Sequence, residues 1–278
     1  SRLQTVTSGP DVAAYSYHPN ADLVNTLVQT HSNQVRLTTT KLYDKLNRLQ
    51  SISSVPSADS PISFAYQYND ANQRARATLA NGEYWTYGYD GLGQVTNGVK
   101  HFPNSAPIPG YSFGYQFDHI GNRVAATRDN RTDAYTNNVL NQIQSINYAP
   151  WLHVLGQVNS NATITVNGQT PVRSNGYFYA QLPATSIWNT VNIQARVAGA
   201  ATNGVDALAE ETGHLFQLTN STTFLYDDDG NLKVDNRWLH IWDGENRLIA
   251  LETRSDLSTS SPPRIKLECS YDSQSRRF

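Results

Sequence analysis

The chain has 278 residues, 38% hydrophobic and only 16% charged, with 16 Tyr, 5 Trp and no Met. A formal net charge of −2 excludes a global basic field for nucleic acid or anionic membrane, and the lone Cys269 excludes both a disulfide framework and a cysteine zinc site. No run approaches the roughly 20 apolar residues of a membrane helix, and so much tyrosine suits wide, half-wet sheets better than a thick aliphatic core.

The N-terminus, Ser1-Arg2-Leu3-Gln4-Thr5, is neither a start methionine nor a signal peptide. Arg276-Arg277-Phe278 stops inside a repeat, so the chain is expected to be a piece of a longer polypeptide. From about Ala14 one unit recurs: alternating aromatics, then Asp or Asn, a Gly/Asn turn, a polar residue and an aliphatic one. Tyr17-His18-Pro19-Asn20 is a loose copy, and Tyr43-Asp44-Lys45-Leu46-Asn47-Arg48-Leu49 a clear one. Tyr68-Asn69-Asp70-Ala71-Asn72-Gln73-Arg74 is again loose; Tyr89-Asp90-Gly91-Leu92-Gly93-Gln94-Val95 is clear. Phe117-Asp118-His119-Ile120-Gly121-Asn122-Arg123-Val124 follows closely. The strand before each turn alternates, as in Phe64, Tyr66 and Tyr68 or Tyr111, Phe113, Tyr115 and Phe117, which places the aromatics on one face. Asp with Gly or Asn supplies the side-chain bonds and positive φ of a hairpin turn. Stacked hairpins are then expected to set ring above ring, each pair contributing about 0.5–1.5 kcal/mol.

Between Ala149 and about Leu218 the aromatic-Asp turns vanish. Short aliphatic strands take over at Val154–Val158, Ala162–Val166, Tyr177–Leu182 and Thr190–Val197, with turns at Asn167-Gly168, Asn175-Gly176 and Asn203-Gly204. This spacing predicts a small β-sandwich over 150–218, inserted between repeat segments at 1–149 and 219–278. The alternative is a modified stretch of the same sheet. Ile164-Thr165-Val166-Asn167-Gly168 resembles a hairpin of small bacterial Ig-like domains. Pro150 and Gln217 to Thr223 are expected hinges, with the module on the outside. Val205 to Gly213 is the one stretch with a helical signal, and Glu210-Glu211 with His214 reads as a surface loop. The repeat resumes at Tyr226-Asp227-Asp228-Asp229-Gly230-Asn231-Leu232 and Trp242-Asp243-Gly244-Glu245-Asn246-Arg247-Leu248. It ends at Tyr271-Asp272-Ser273-Gln274-Ser275-Arg276-Arg277, after the alternating Ile265, Leu267, Cys269 and Tyr271.

The pattern resembles the YD repeat of RHS proteins, found also in toxin-complex shells and teneurins, over roughly Ala14 to Tyr148 and Phe224 to Phe278. The resemblance implies an all-β fold of antiparallel hairpins forming a continuous curved or spiralling sheet, part of a secreted or cell-surface bacterial shell. It further implies a C-terminal toxin or effector domain as cargo, beyond this chain. No Asp-Pro dipeptide of the kind found at the self-cleaving core of such proteins occurs here.

No catalytic, metal or cofactor site is expected. Asp227, Asp228, Asp229 and Asn231 lack the spacing of a calcium loop, Glu210, Glu211 and His214 lack that of a zinc helix, and no Gly-x-Ser-x-Gly elbow occurs. Asp44, Asp90, Asp118, Asp243 and Asp272 fall at one repeat position, where an acid serves the turn. The competing reading is an adhesin or glycan reader acting through the module. Trp151 and Trp188 are its candidate ligand surface, and glycans or cell-surface receptors its partners.

Overall fold

The structure, a computed structural model, describes residues 2–218, 221–257 and 263–277. The chain forms two compact units, 1–108 and 109–278. Every strand pairing within them is antiparallel, as the alternation requires, and the fold is all-β.

The first unit is a meander of nine strands paired in chain order: β1 (Thr5–Ser8), β2 (Asp11–Tyr17), β3 (Val24–His31), β4 (Gln34–Tyr43), β5 (Leu49–Pro56), β6 (Ile62–Tyr68), β7 (Arg74–Leu79), β8 (Tyr84–Tyr89) and β9 (Val95–His101). Further along, β10 (Pro107–Phe117), β11 (Arg123–Arg128), β12 (Arg131–Asn137) and β13 (Ile143–Asn147) pair in chain order.

The chain then builds two three-stranded sheets from β14 (Trp151–Gln157), β15 (Thr163–Val166), β16 (Val172–Ser174), β17 (Tyr177–Pro183), β18 (Trp188–Val197) and β19 (Ala207–Phe216). Their orders are β14-β17-β16 and β15-β18-β19. Leu152, Val154, Phe178, Ala180 and Leu182 of the first sheet pack on Ile164, Val166 and Val191 of the second. This is the densest apolar core of the chain. β20 (Thr222–Thr223) returns to pair with β13. A five-stranded meander closes the second unit: β21 (Leu225–Tyr226), β22 (Leu232–Val234), β23 (Trp238–Trp242), β24 (Leu248–Thr253) and β25 (Lys266–Glu268).

A β-bulge stands beside the first residue of nearly every repeat turn, at Tyr17, Tyr43, Tyr68, Tyr89, Phe117, Asn137, Tyr226 and Trp242. An extra residue on one strand raises the local twist beside each of these turns. Hydroxyl pairs bridge facing strands, Thr39 with Ser54 at 2.9 Å and Thr136 with Ser145 at 2.7 Å.

Two expectations are corrected. The stretch Val205 to Gly213 is not helical. A 3₁₀ turn occupies Thr202–Gly204, and β19 pairs with β18 over its whole length, so ladder bonds decide the conformation where local signals are weak. Glu210, Glu211 and His214 are therefore strand residues rather than a loop. Over several of the repeat tyrosine rings lie arginines, described next, and Trp85 stacks on Tyr87 at 6.4 Å.

Candidate functional site

The chemistry-bearing residues of this chain converge on the turns. In eight of them, headed by Asp44, Asn69, Asp90, Asp118, Asn138, Asp227, Asp243 and Asp272, one side-chain oxygen accepts the backbone N–H groups two and four residues on, at 2.7–3.1 Å. The residue three beyond the head has positive φ in every case: Asn47, Asn72, Gly93, Gly121, Asn141, Gly230, Asn246 and Ser275. This is why Gly or Asn recurs there.

The head's other side-chain atom selects the residue four beyond. Acids take donors: Arg48 Nε at 2.7 Å on Asp44, Asn122 Nδ2 at 2.9 Å on Asp118, Asn231 Nδ2 at 3.2 Å on Asp227, Arg247 Nε at 2.8 Å on Asp243 and Arg276 Nε at 2.7 Å on Asp272. Amide heads instead donate to a glutamine oxygen, Asn69 to Gln73 and Asn138 to Gln142, both at 2.7 Å. Asp90 with Gln94 departs from this rule, since Gln94 Oε1 is buried without a partner. Asp44, Asp118, Asp227, Asp243 and Asp272 are held below the usual aspartate range. For Asp44 and Asp227 partial dehydration pulls upward and the donated bonds outweigh it. The Asn122 amide leads for Asp118, and the backbone N–H of Arg247 and of Arg276 for Asp243 and Asp272.

Two sets of bonds then tie each turn to the next. The repeat's first residue donates to the carbonyl that closes the preceding turn, beside the bulge where the ladder is interrupted. Tyr43 donates to Val24 O at 3.0 Å, Tyr68 to Leu49 O at 2.7 Å and Tyr89 to Arg74 O at 2.8 Å. Farther on, Tyr226 donates to Ile143 O at 3.0 Å, Trp242 Nε1 to Leu232 O at 2.8 Å and Tyr271 to Leu248 O at 2.9 Å. Phe117 has no polar tip and makes no such bond. The second set runs from the turn's fourth follower to the positive-φ residue of the next turn. Arg48 reaches Asn72 at 2.7 Å, Asn122 reaches Asn141 at 3.0 Å and Asn231 reaches Asn246 at 2.7 Å. The same arginines cap rings, Arg48 over Tyr68 at 4.6 Å and Arg247 over Tyr271 at 5.1 Å.

Sequence reading missed one turn. In the Phe117 repeat the residue that serves the head Asp118 is Asn122, and Arg123 has another place. It pairs with Phe117 as the closing residue, and its guanidinium lies over Tyr115 and Tyr135. Asn137-Asn138-Val139-Leu140-Asn141-Gln142-Ile143 is a further repeat in which Asn137 replaces the aromatic and donates to Arg123 O at 3.0 Å. Its Asn138–Gln142 pair, matching Asn69–Gln73, was the available signal.

Trp151 and Trp188 lie on opposite sheets of the small two-sheet body and are not brought together. Arg131 sits 3.6 Å over the Trp151 ring, and Trp188 stacks on His214 at 5.4 Å. The expected hinge at Pro150 is tied down: Ala149 N–H donates to Asp133 at 2.7 Å, and Ala184 N–H to Pro150 O at 2.9 Å. Residues 219–220 of the second expected hinge lie outside the described residues. Gln181 donates to Asn130 at 2.8 Å. Tyr179 lies against Gly110, where an added Cβ would come within 2.7 Å of the ring. Its hydroxyl meets His153 Nδ1 at 2.6 Å. Burial, aided by Arg128 and Arg131, lowers His153 to about 4, and burial raises Tyr179 to about 12. Among the described residues no group of three or more His, Cys, Asp or Glu is placed to hold a metal ion.

Residues 68–101, spanning the Tyr68 and Tyr89 turns, match the RHS Repeat family. No curated protein matches. Among solved structures, a crystal structure of TcdB2-TccC3-Cdc42 is similar at 13% identity with a TM-score of 0.46, covering 96% of this chain and 13% of that one. The Tc holotoxin pore of Photorhabdus luminescens is similar at 14% identity with a TM-score of 0.44, over 96% and 13% of the two chains. A porin-like protein from Bacteroides uniformis is similar at 10% identity with a TM-score of 0.28, over 77% and 95%. The chain thus spans 13% of the length of the first two. Residues 68–101 thus carry an RHS repeat, and the same bonded turn recurs on both sides of that match.

Proposed function

We propose that this chain is a stretch of RHS/YD wall enclosing a toxin or effector domain that lies C-terminal to it in a secreted bacterial protein, and that 150–218 is a small sandwich set into one hairpin of that wall. One observation carries the reading: the turn-to-turn bonds continue where the sequence does not. Tyr43, Tyr68 and Tyr89 reach carbonyls 15–19 residues back. Tyr226 reaches Ile143 across 83 residues in the same arrangement, and Ser221 meets Asn147 across 74. The small body therefore leaves and re-enters through the loop of a hairpin whose two strands, β13 and β20, still pair. A wall whose turn heads, Asp or Asn, are bonded within the turn, and several of whose rings are capped by its own arginines, spends that chemistry on holding itself together. Its partners in this reading are the cargo domain and the neighbouring repeats of the same polypeptide.

Limited proteolysis of a polypeptide carrying these repeats with its downstream domain tests this. The downstream domain is expected to resist digestion while the repeats are folded and to be cut once they are unfolded by denaturant. Digestion at the same rate with folded repeats as with none would overturn the proposal.

A further inference from the structure

Among the described residues strand β19 is a sheet edge, paired with β18 on one side only. Among the edges of the small body, β15 and β16 are short, and in β14 only Gln157 is exposed. β19 runs ten residues, with Leu208 to Leu215 all exposed and Leu208 at 76%. It has no proline, lysine or bulge, the usual means of closing an edge.

Which backbone groups are open follows from the ladder. Gln217 N–H donates to Ile187 O, and Asn167 N–H to Asn192 O. Bonded pairs alternate along an antiparallel ladder, so Ala209, Glu211, Gly213 and Leu215 turn their backbone groups to β18. Leu208, Glu210, Thr212 and His214 turn theirs outward. Middle strand β18 agrees, with the opposite parity facing β15.

The side chains describe what fits. On the face shared with the core residue Val191, Glu211 stands opposite Ile193, which packs on the core, while the small Ala209 and Ala207 stand opposite the half-buried Ala195 and Val197, which suits apolar side chains there. At the centre Glu210 and Glu211 set negative charge on both faces. A second copy of β19 laid antiparallel about its midpoint would crowd the glutamates of both copies together, which opposes pairing.

We propose that β19 accepts, by strand addition, an extended segment of another polypeptide carrying basic residues at its centre among apolar ones. This is independent of any cargo enclosed by the wall.

The test uses the full chain and a fluorescent peptide of alternating valine and lysine, matched in length to β19, beside one of alternating valine and glutamate. The lysine peptide is expected to bind and the glutamate peptide not. Hydrogen exchange should slow on binding at Leu208, Glu210, Thr212 and His214. Thr212→Pro, which removes an outward N–H while sparing the bonds to β18, should weaken binding about tenfold or more, with the melting temperature showing that the variant folds. Glu211→Lys should weaken the lysine peptide's binding and strengthen the glutamate peptide's. Absence of binding, equal binding of both peptides, protection elsewhere than β19, or a self-associated dimer that Thr212→Pro dissociates would each overturn it.

Discussion

Phe178→Ala is expected to cost about 3–5 kcal/mol and to unfold the small two-sheet body while the repeat sheets persist. Phe178 is 5% exposed and sits in the cluster joining both sheets. Its ring carbons lie within 2.9 Å of where a Cβ on Gly156 would stand, so no neighbour is poised to fill the space it leaves. A domain's net stability is only about 5–15 kcal/mol, and a body of six strands has little to spare. The wall does not depend on that core, because β13 pairs directly with β20 and Tyr226 bonds directly to Ile143. Peptide-level hydrogen exchange should show protection lost over 151–216 and kept over 11–101. Equal loss in both regions would mean that the body and the wall share one cooperative core.

Acidification is expected to weaken the protein in two separate windows. His153 has its pKa lowered by burial from 6.5 to about 4, with Arg128 and Arg131 acting in the same sense and Asp129 against it. The unfolded chain therefore takes up this proton first. Stability from this group is full above pH 6.5 and falls as the pH drops from 6.5 towards 4. The turn aspartates Asp44, Asp118, Asp227, Asp243 and Asp272 are lowered from 3.8, so their contribution is present above 3.8 and is lost below it. Asp133, raised by burial, works in the opposite sense. The Asn69–Gln73 and Asn138–Gln142 turns keep the same bonds without a charge, which gives a specific check. Asp243→Asn combined with Arg247→Gln should preserve the turn at neutral pH and reduce the loss below pH 3.8. His153→Gln should flatten the upper window. Urea midpoints followed against pH would refute the assignment if neither substitution changed its own window.

The turns were legible in the sequence because all their chemistry lies within seven consecutive residues: a head that accepts two N–H groups, a positive-φ residue and a matched fourth follower. The antiparallel class and most strands of the small body followed from alternation for the same local reason. What ties the turns together was not legible. The acceptor of Tyr68 is a backbone carbonyl 19 residues away, and backbone carbonyls leave no mark on a sequence. Nor was the second use of Arg48 and Arg247 legible: read only as turn residues, they also reach across to Tyr68 and Tyr271. The Asn137 turn was missed because the aromatic served as the marker, whereas the bond needs only a donor at that position. Strand β19 was obscured because it is exposed on both faces, so no alternation betrays it. Trp151 looked available because the arginine over it, Arg131, belongs to strand β12 of another sheet.

The central claim is that bonds from one turn to an earlier one hold the repeat sheets together on either side of the small body. Excising 148–221 and joining Asn147 to Thr222 through an Asn-Gly turn tests it most directly, by hydrogen exchange and a crystal structure of the shortened chain. The account predicts a folded protein in which the Tyr226 hydroxyl still donates to Ile143 O and the strands flanking the cut keep their protection. Loss of protection on both sides of the cut, or a Tyr226 ring turned away from Ile143, would contradict it.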